Sequence, residues 1–143
     1  MRHKQIAEIP KTFILIFETG DELLAGLKQF AVEQNLSGSS FKAVGALSHA
    51  KFAWFNWEIK KYEVAADLHE QVELLSLIGD IAMKDEEPQV HAHMVVGRQD
   101  GTAHGGHMME ARVRPTCELV LTESPVHLQK RVDPESGVAL INL

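Results

Sequence analysis

Four of the chain's eight histidines fall between residues 91 and 107, as His91-Ala92-His93 and His104-Gly105-Gly106-His107. Imidazole is the commonest metal ligand among side chains, so metal binding is the first chemistry this cluster suggests. On a strand, alternate side chains share a face, which puts the Cα atoms of His91 and His93 about 7 Å apart. Imidazoles at that spacing can converge on one ion, given Zn–N bonds of about 2.0–2.1 Å. Gln99-Asp100-Gly101 is a hairpin signal. A three-residue loop there, with Gly101 at the position that needs positive φ, sets residue 93 opposite residue 107 and makes His107 a third ligand, with His104 on the other face as a bystander. A two-residue turn at Asp100-Gly101 instead pairs His93 with Met108 and sends His107 away. A bulge at Gly105-Gly106 could also re-aim it. Three neutral imidazoles leave a fourth position of zinc open, the pattern of catalytic or ligand-binding sites. The competing explanation is a set of hydrogen-bonded surface or interface histidines, and spacing alone does not choose between them.

Positioning such a cluster requires strands, and the sequence supplies them. Thr12–Glu18 is rich in β-branched and aromatic residues and ends at Thr19-Gly20-Asp21, a strand followed by a helix start with Asp21 as capping carboxylate. From there Leu23, Leu24, Leu27, Phe30 and Ala31 recur at helical period, and Asn35 and Gly38 stop the helix. The remainder reads as short strands at Ser40–Ala46, His49–Trp57, Lys61–Leu68, Gln71–Gly79, Gln89–Gly97, Thr116–Thr122, Val126–Val132 and Val138–Ile141. Lys84–Pro88 reads as a polar loop and Asp133–Gly137 as a turn. Many strands and one main helix predict an α+β fold, mostly antiparallel sheet, as a single domain over residues 1–143.

Composition bounds the function. With 143 residues, the chain is long enough to bury a core without a structural metal or disulfide. Its net charge of −6, without clustering of basic residues, disfavours nucleic-acid binding as a stand-alone property. A lone cysteine, Cys117, excludes an internal disulfide and a Cys-x-x-Cys metal site. The longest apolar run, Phe13–Phe17, is far short of the ~18–20 residues of a membrane helix, so a soluble, cytoplasmic protein is expected. No nucleophile elbow and no phosphate-binding glycine loop is present.

Glu73, in the Gln71–Gly79 strand, is a candidate carboxylate for orienting a metal-bound histidine or acting as general base; a salt-bridged or rim glutamate is the plainer explanation. Glu110 and Glu118 have similar standing. Trp54, Phe55 and Trp57 could stack a ligand, but more ordinarily belong to a core or subunit interface. Arg2-His3-Lys4 reads as a solvated chain start.

An ordered series of short motifs resembles one family, the PPC domain (plant and prokaryote conserved domain). It comprises Phe17–Glu22, Val44–Ala50, Tyr62-Glu63-Val64, Val72–Gly79, His91-Ala92-His93, Asp100-Gly101 leading to Gly105-Gly106-His107-Met108, and Thr116–Leu119. The resemblance implies an antiparallel sheet with one helix packed on it and a homotrimeric assembly. It also implies that His91, His93 and His107 match the histidines that bind zinc in metal-bearing members. His104 falls at a variable position, and Cys117 where a small residue is usual, which suits a packed thiol. The DNA-binding name attached to plant members comes from an AT-hook with an Arg-Gly-Arg-Pro core, and nothing of that kind occurs here. Three functions follow as expectations: a homotrimeric zinc-binding protein with room for a small ligand at the site, a DNA-associated or regulatory protein using the domain for self-association and partner binding, and a zinc-dependent hydrolase or lyase.

Overall fold

The computed structural model describes residues 1–142. Nine strands and one helix follow in the order β1 (Arg2–Glu8), β2 (Lys11–Glu18), α1 (Leu23–Glu33), β3 (Gly38–Asn56), β4 (Lys61–Leu68), β5 (Val72–Lys84), β6 (Glu87–Gly97), β7 (Ala103–Glu123), β8 (Gln129–Val132) and β9 (Ala139–Asn142). This is the expected α+β architecture, a mostly antiparallel sheet carrying one helix. The path through the sheet is β1-β2-β7-β3-β5-β8-β9, with β4 on β3 and β6 between β5 and β7. The pairings β3–β5, β5–β6, β6–β7 and β7–β3 therefore close on themselves.

That closure explains the largest departures from the expected elements. Ser40–Ala46 and His49–Trp57 are one 19-residue strand, and Thr116–Thr122 is the second half of a 21-residue strand that starts at Ala103. Each strand serves different neighbours along its length and bends at register shifts, three of them between β3 and β7. Such bulges interrupt the alternation that marks a strand in sequence. Strand β1 falls where a solvated start was expected. It is a polar edge strand against β2, and charged edges of this kind protect a sheet from further pairing.

The helix begins at Leu23, the first residue of its apolar period, and its cap is Glu22 rather than Asp21. Glu22 accepts from the Leu24 and Ala25 amides at 3.3 and 2.7 Å, whereas Asp21 accepts from the Glu18 amide. At the other end Asn35, with φ of 52°, is followed by Leu36, whose N–H reaches back to the Ala31 carbonyl at 2.9 Å. That is a Schellman stop. Leu23, Leu27, Phe30 and Ala31 are fully buried, holding the helix on β6 and β7 through the apolar area they remove from water.

Two turns fix the registers that matter for the site. Lys84–Pro88 is not a loop: Asp85 and Glu86, both at positive φ, form a two-residue connection that pairs Lys84 with Glu87. Between β6 and β7, Gly97 pairs with Ala103 and Arg98 N–H bonds the Thr102 carbonyl at 2.9 Å, leaving Gln99-Asp100-Gly101 as a three-residue loop with Gly101 at φ 81°. Of the alternatives open in the sequence, this is the one that sets His93 opposite His107.

Candidate functional site: a histidine triad beside an orienting carboxylate

His91 and His93 stand two residues apart on β6, and His107 faces His93 from β7. The three rings surround one point, with centroids 5.0 Å apart for His91–His93, 5.2 Å for His91–His107 and 5.6 Å for His93–His107. One ring nitrogen from each lies within 4.8 Å of the others. The neighbouring glycines permit this crowding, since a Cβ on Gly105 would stand 2.6 Å from the Met94 carbonyl oxygen and one on Gly106 would stand 2.5 Å from that of Ala53. His104 pairs with Val96 and is exposed, outside the cluster.

Burial favours the neutral form of two of the three imidazoles. Burial lowers the His107 pKa to about 4, assisted by the charges of His91, His93 and Lys130. Burial, followed by the His91 charge, also lowers that of His93. Neutral imidazole is the form that ligates a metal. His107 Nδ1 is buried and has no hydrogen-bond partner, a situation costing about 1–3 kcal/mol. Three converging imidazoles, one with an orphaned ring nitrogen, fit a borderline divalent ion such as zinc.

The carboxylate beside the triad is Asp80, which the sequence does not single out. It sits opposite His91 in the β5–β6 register, and its Oδ2 lies 3.1 Å from His91 Nδ1. Oδ1 lies 2.7 Å from the ammonium of Lys130, whose side chain is 3% exposed. Burial alone would raise the Asp80 pKa, but the His91 and Lys130 hydrogen bonds and charges outweigh it and the carboxylate is held below its usual range. With Nδ1–H directed at Asp80, His91 is left with Nε2 free to ligate, the usual carboxylate–histidine–metal arrangement.

Glu73 does not take the place expected of it. It pairs with Gly97, on the histidine face of β6 but four residues beyond His93, roughly 13 Å along the strand, and is exposed. Glu110 bonds Lys51 instead, at 3.2 Å. Cys117 is fully buried and its thiol is pushed up to about 12 by burial and by the Glu118 charge, as suits a packed thiol. Trp54 and Trp57 are 55% and 61% exposed and so lie outside this chain's own core. Tyr62, by contrast, stacks on His107 with centroids 4.2 Å apart, forming one wall of the site.

Comparison with known proteins shows the family and the fold. The Plants and Prokaryotes Conserved (PCC) domain family matches residues 4–125. The chain belongs to this family. Among solved structures, a metal-containing protein from Archaeoglobus fulgidus is 30% identical, with TM-score 0.85 and coverage of 93% of this chain and 94% of that one. A plant- and prokaryote-conserved protein from Pyrococcus horikoshii is also 30% identical, with TM-score 0.85 over 99% and 95% of the two chains. A Bacteroides thetaiotaomicron protein described only as a candidate DNA-binding protein superposes with TM-score 0.92 at 25% identity, over 99% and 96%. No curated protein matches the chain. No helix among the described residues is long and apolar enough to cross a membrane.

Proposed function

We propose that this PCC-domain chain, acting as one domain over residues 1–143, is a cytoplasmic homotrimeric protein that binds zinc through His91, His93 and His107 and offers the open coordination position to a small ligand. The observation that carries this reading is the convergence of three ring nitrogens beside a carboxylate that fixes one of them. When bound, the ion would supply Lewis acidity at its free position. Asp80 holds the His91 tautomer, Lys130 holds Asp80, and Tyr62 shields one side of His107. The metal-containing relative from Archaeoglobus fulgidus supports the metal. Self-association would cover large apolar side chains that this chain leaves exposed, among them Trp54, Val64, Ile78 and Val95 on strands and Trp57 in the turn after β3.

The test is metal content per chain, by elemental analysis of protein prepared without a histidine tag, for the wild type and for His91→Ala, His93→Ala and His107→Ala. Near-stoichiometric zinc in the wild type, lost in each variant while sedimentation still gives a trimer, is the expected result. Metal-free wild type, or full retention by the variants, overturns the reading. The DNA-associated alternative draws on the description of the Bacteroides relative, and the net charge of −6 weighs against it. Direct DNA binding should weaken steeply with salt, so absence of duplex binding at low salt removes it.

A further inference from the structure

A second group of ligand-type side chains lies on β3 and β4, away from the triad. His49 on β3, Asp67 near the end of β4 and His69 in the β4–β5 connection bring one ligand atom each within 4.8 Å of one another. Both imidazoles direct Nε2 at the same atom, Asp67 Oδ1, at 2.6 Å from His49 and 3.1 Å from His69. Their rings stack, with centroids 4.2 Å apart and planes 11° from parallel. Ala53 is the β3 residue opposite His107, and His49 lies four residues before it, roughly 13 Å along the strand. The two groups are therefore separate sites.

The charges around this group are accounted for. Lys51, the register partner of Asp67, approaches Oδ2 at 4.0 Å and is closer to Glu110, at 3.2 Å, so it leaves Oδ1 to the histidines. Arg112, opposite His49 on β7, directs its guanidinium to the Gly20 carbonyl at 3.3 Å.

We propose that His49, Asp67 and His69 form a second binding site for a divalent transition metal. Two imidazoles and one carboxylate suit zinc, cobalt or nickel, whereas magnesium and calcium prefer all-oxygen sets. His49, whose side chain is 15% exposed, is the fixed member, and His69, at 73%, is the mobile one. His69 must tilt out of the stack for its lone pair to meet that of His49. For the ion to bind, each neutral imidazole carries its proton on Nδ1 and turns the Nε2 lone pair to the metal beside Oδ1, and water completes the coordination. Affinity is lower than at the triad because two of the three ligands are exposed and one must move.

The experiment is titration of the metal-free full chain with cobalt(II), above the ordinary imidazole pKa of about 6.5, with bound metal read by equilibrium dialysis and visible absorption. The wild type should take up about two ions per chain, the second more weakly. His69→Ala and Asp67→Asn should each lose the weaker ion and keep the tighter one, and His93→Ala should do the reverse. His69 is an exposed connection residue, so its variant keeps the fold, which circular dichroism confirms. Equal uptake by wild type and His69→Ala overturns the second site. Failure of the triad would appear instead as unchanged uptake in His93→Ala, and would leave the His69→Ala comparison intact.

Discussion

Asp80→Asn separates an orienting carboxylate from a merely structural ion pair. In the wild type the carboxylate serves His91 Nδ1 at 3.1 Å and the Lys130 ammonium at 2.7 Å. Asparagine keeps the volume but offers one acceptor, so it can serve either the imidazole or the ammonium and presents its NH2 group to the other. Removing one partner of a buried pair costs about 3–5 kcal/mol. Because the Asp80 side chain is 27% exposed and asparagine retains one acceptor, the cost here should fall to about 2–3 kcal/mol. At roughly 2–4 °C per kcal/mol for a chain of this size, the metal-free melting temperature should drop about 5–10 °C. Loss of a carboxylate behind a ligating histidine lowers metal affinity about 10–100-fold, equivalent to about 1.4–2.7 kcal/mol. The assay is competition with a chelator of known zinc affinity, alongside thermal unfolding of metal-free protein. Lys130→Met is the control, since it removes the ammonium but keeps the Asp80–His91 bond; it should alter stability while leaving zinc affinity unchanged or raised. An Asp80→Asn affinity within about twofold of wild type would refute the orienting role.

Other perturbations test the packing and protonation behind the site. Gly79→Ala places a methyl group against the Phe41 ring and the His91 carbonyl oxygen, and since a backbone carbonyl cannot yield cheaply, it should cost about 1–3 kcal/mol and disturb His91; unchanged melting and metal content would contradict the contact. Cys117, buried and pushed up to about 12, should resist a thiol-specific disulfide reagent in the native state and react on unfolding. Prompt native-state labelling would show that β7 opens. His107, lowered to about 4 by burial first, binds fewer protons folded than unfolded, so its contribution to stability is complete above about 6.5 and is lost as pH falls toward 4. Metal-free protein should accordingly melt lower across that range, and His107→Phe should flatten the profile; parallel profiles would assign the loss to other groups.

The histidine triad was legible because everything that places it is local. His91 and His93 share a face by alternation, and one glycine able to adopt φ 81° decides the loop that brings His107 across. Asp80 was not legible for the complementary reason. Its partnership with His91 depends on the β5–β6 register, which a two-residue turn at Asp85-Glu86 sets. Those residues carry no glycine or asparagine to announce positive φ, and the run Lys84–Pro88 has the polarity of an open loop. Read as five loose residues, that segment leaves the register free and scatters the possible partners of His91. Glu73 then stands out only because it interrupts an apolar strand, although its place opposite Gly97 puts it beyond reach. Lys130 is further removed still, brought to Asp80 by a short strand that joins β5 through a single parallel pairing at Met83 and Gln129. The three histidines of this site thus follow from neighbours along the chain, while the groups around them follow from contacts only the closed sheet creates. His49, Asp67 and His69 make the same point. Their spacing in sequence is unremarkable, and only the β3–β4 pairing directs two imidazoles at one carboxylate oxygen.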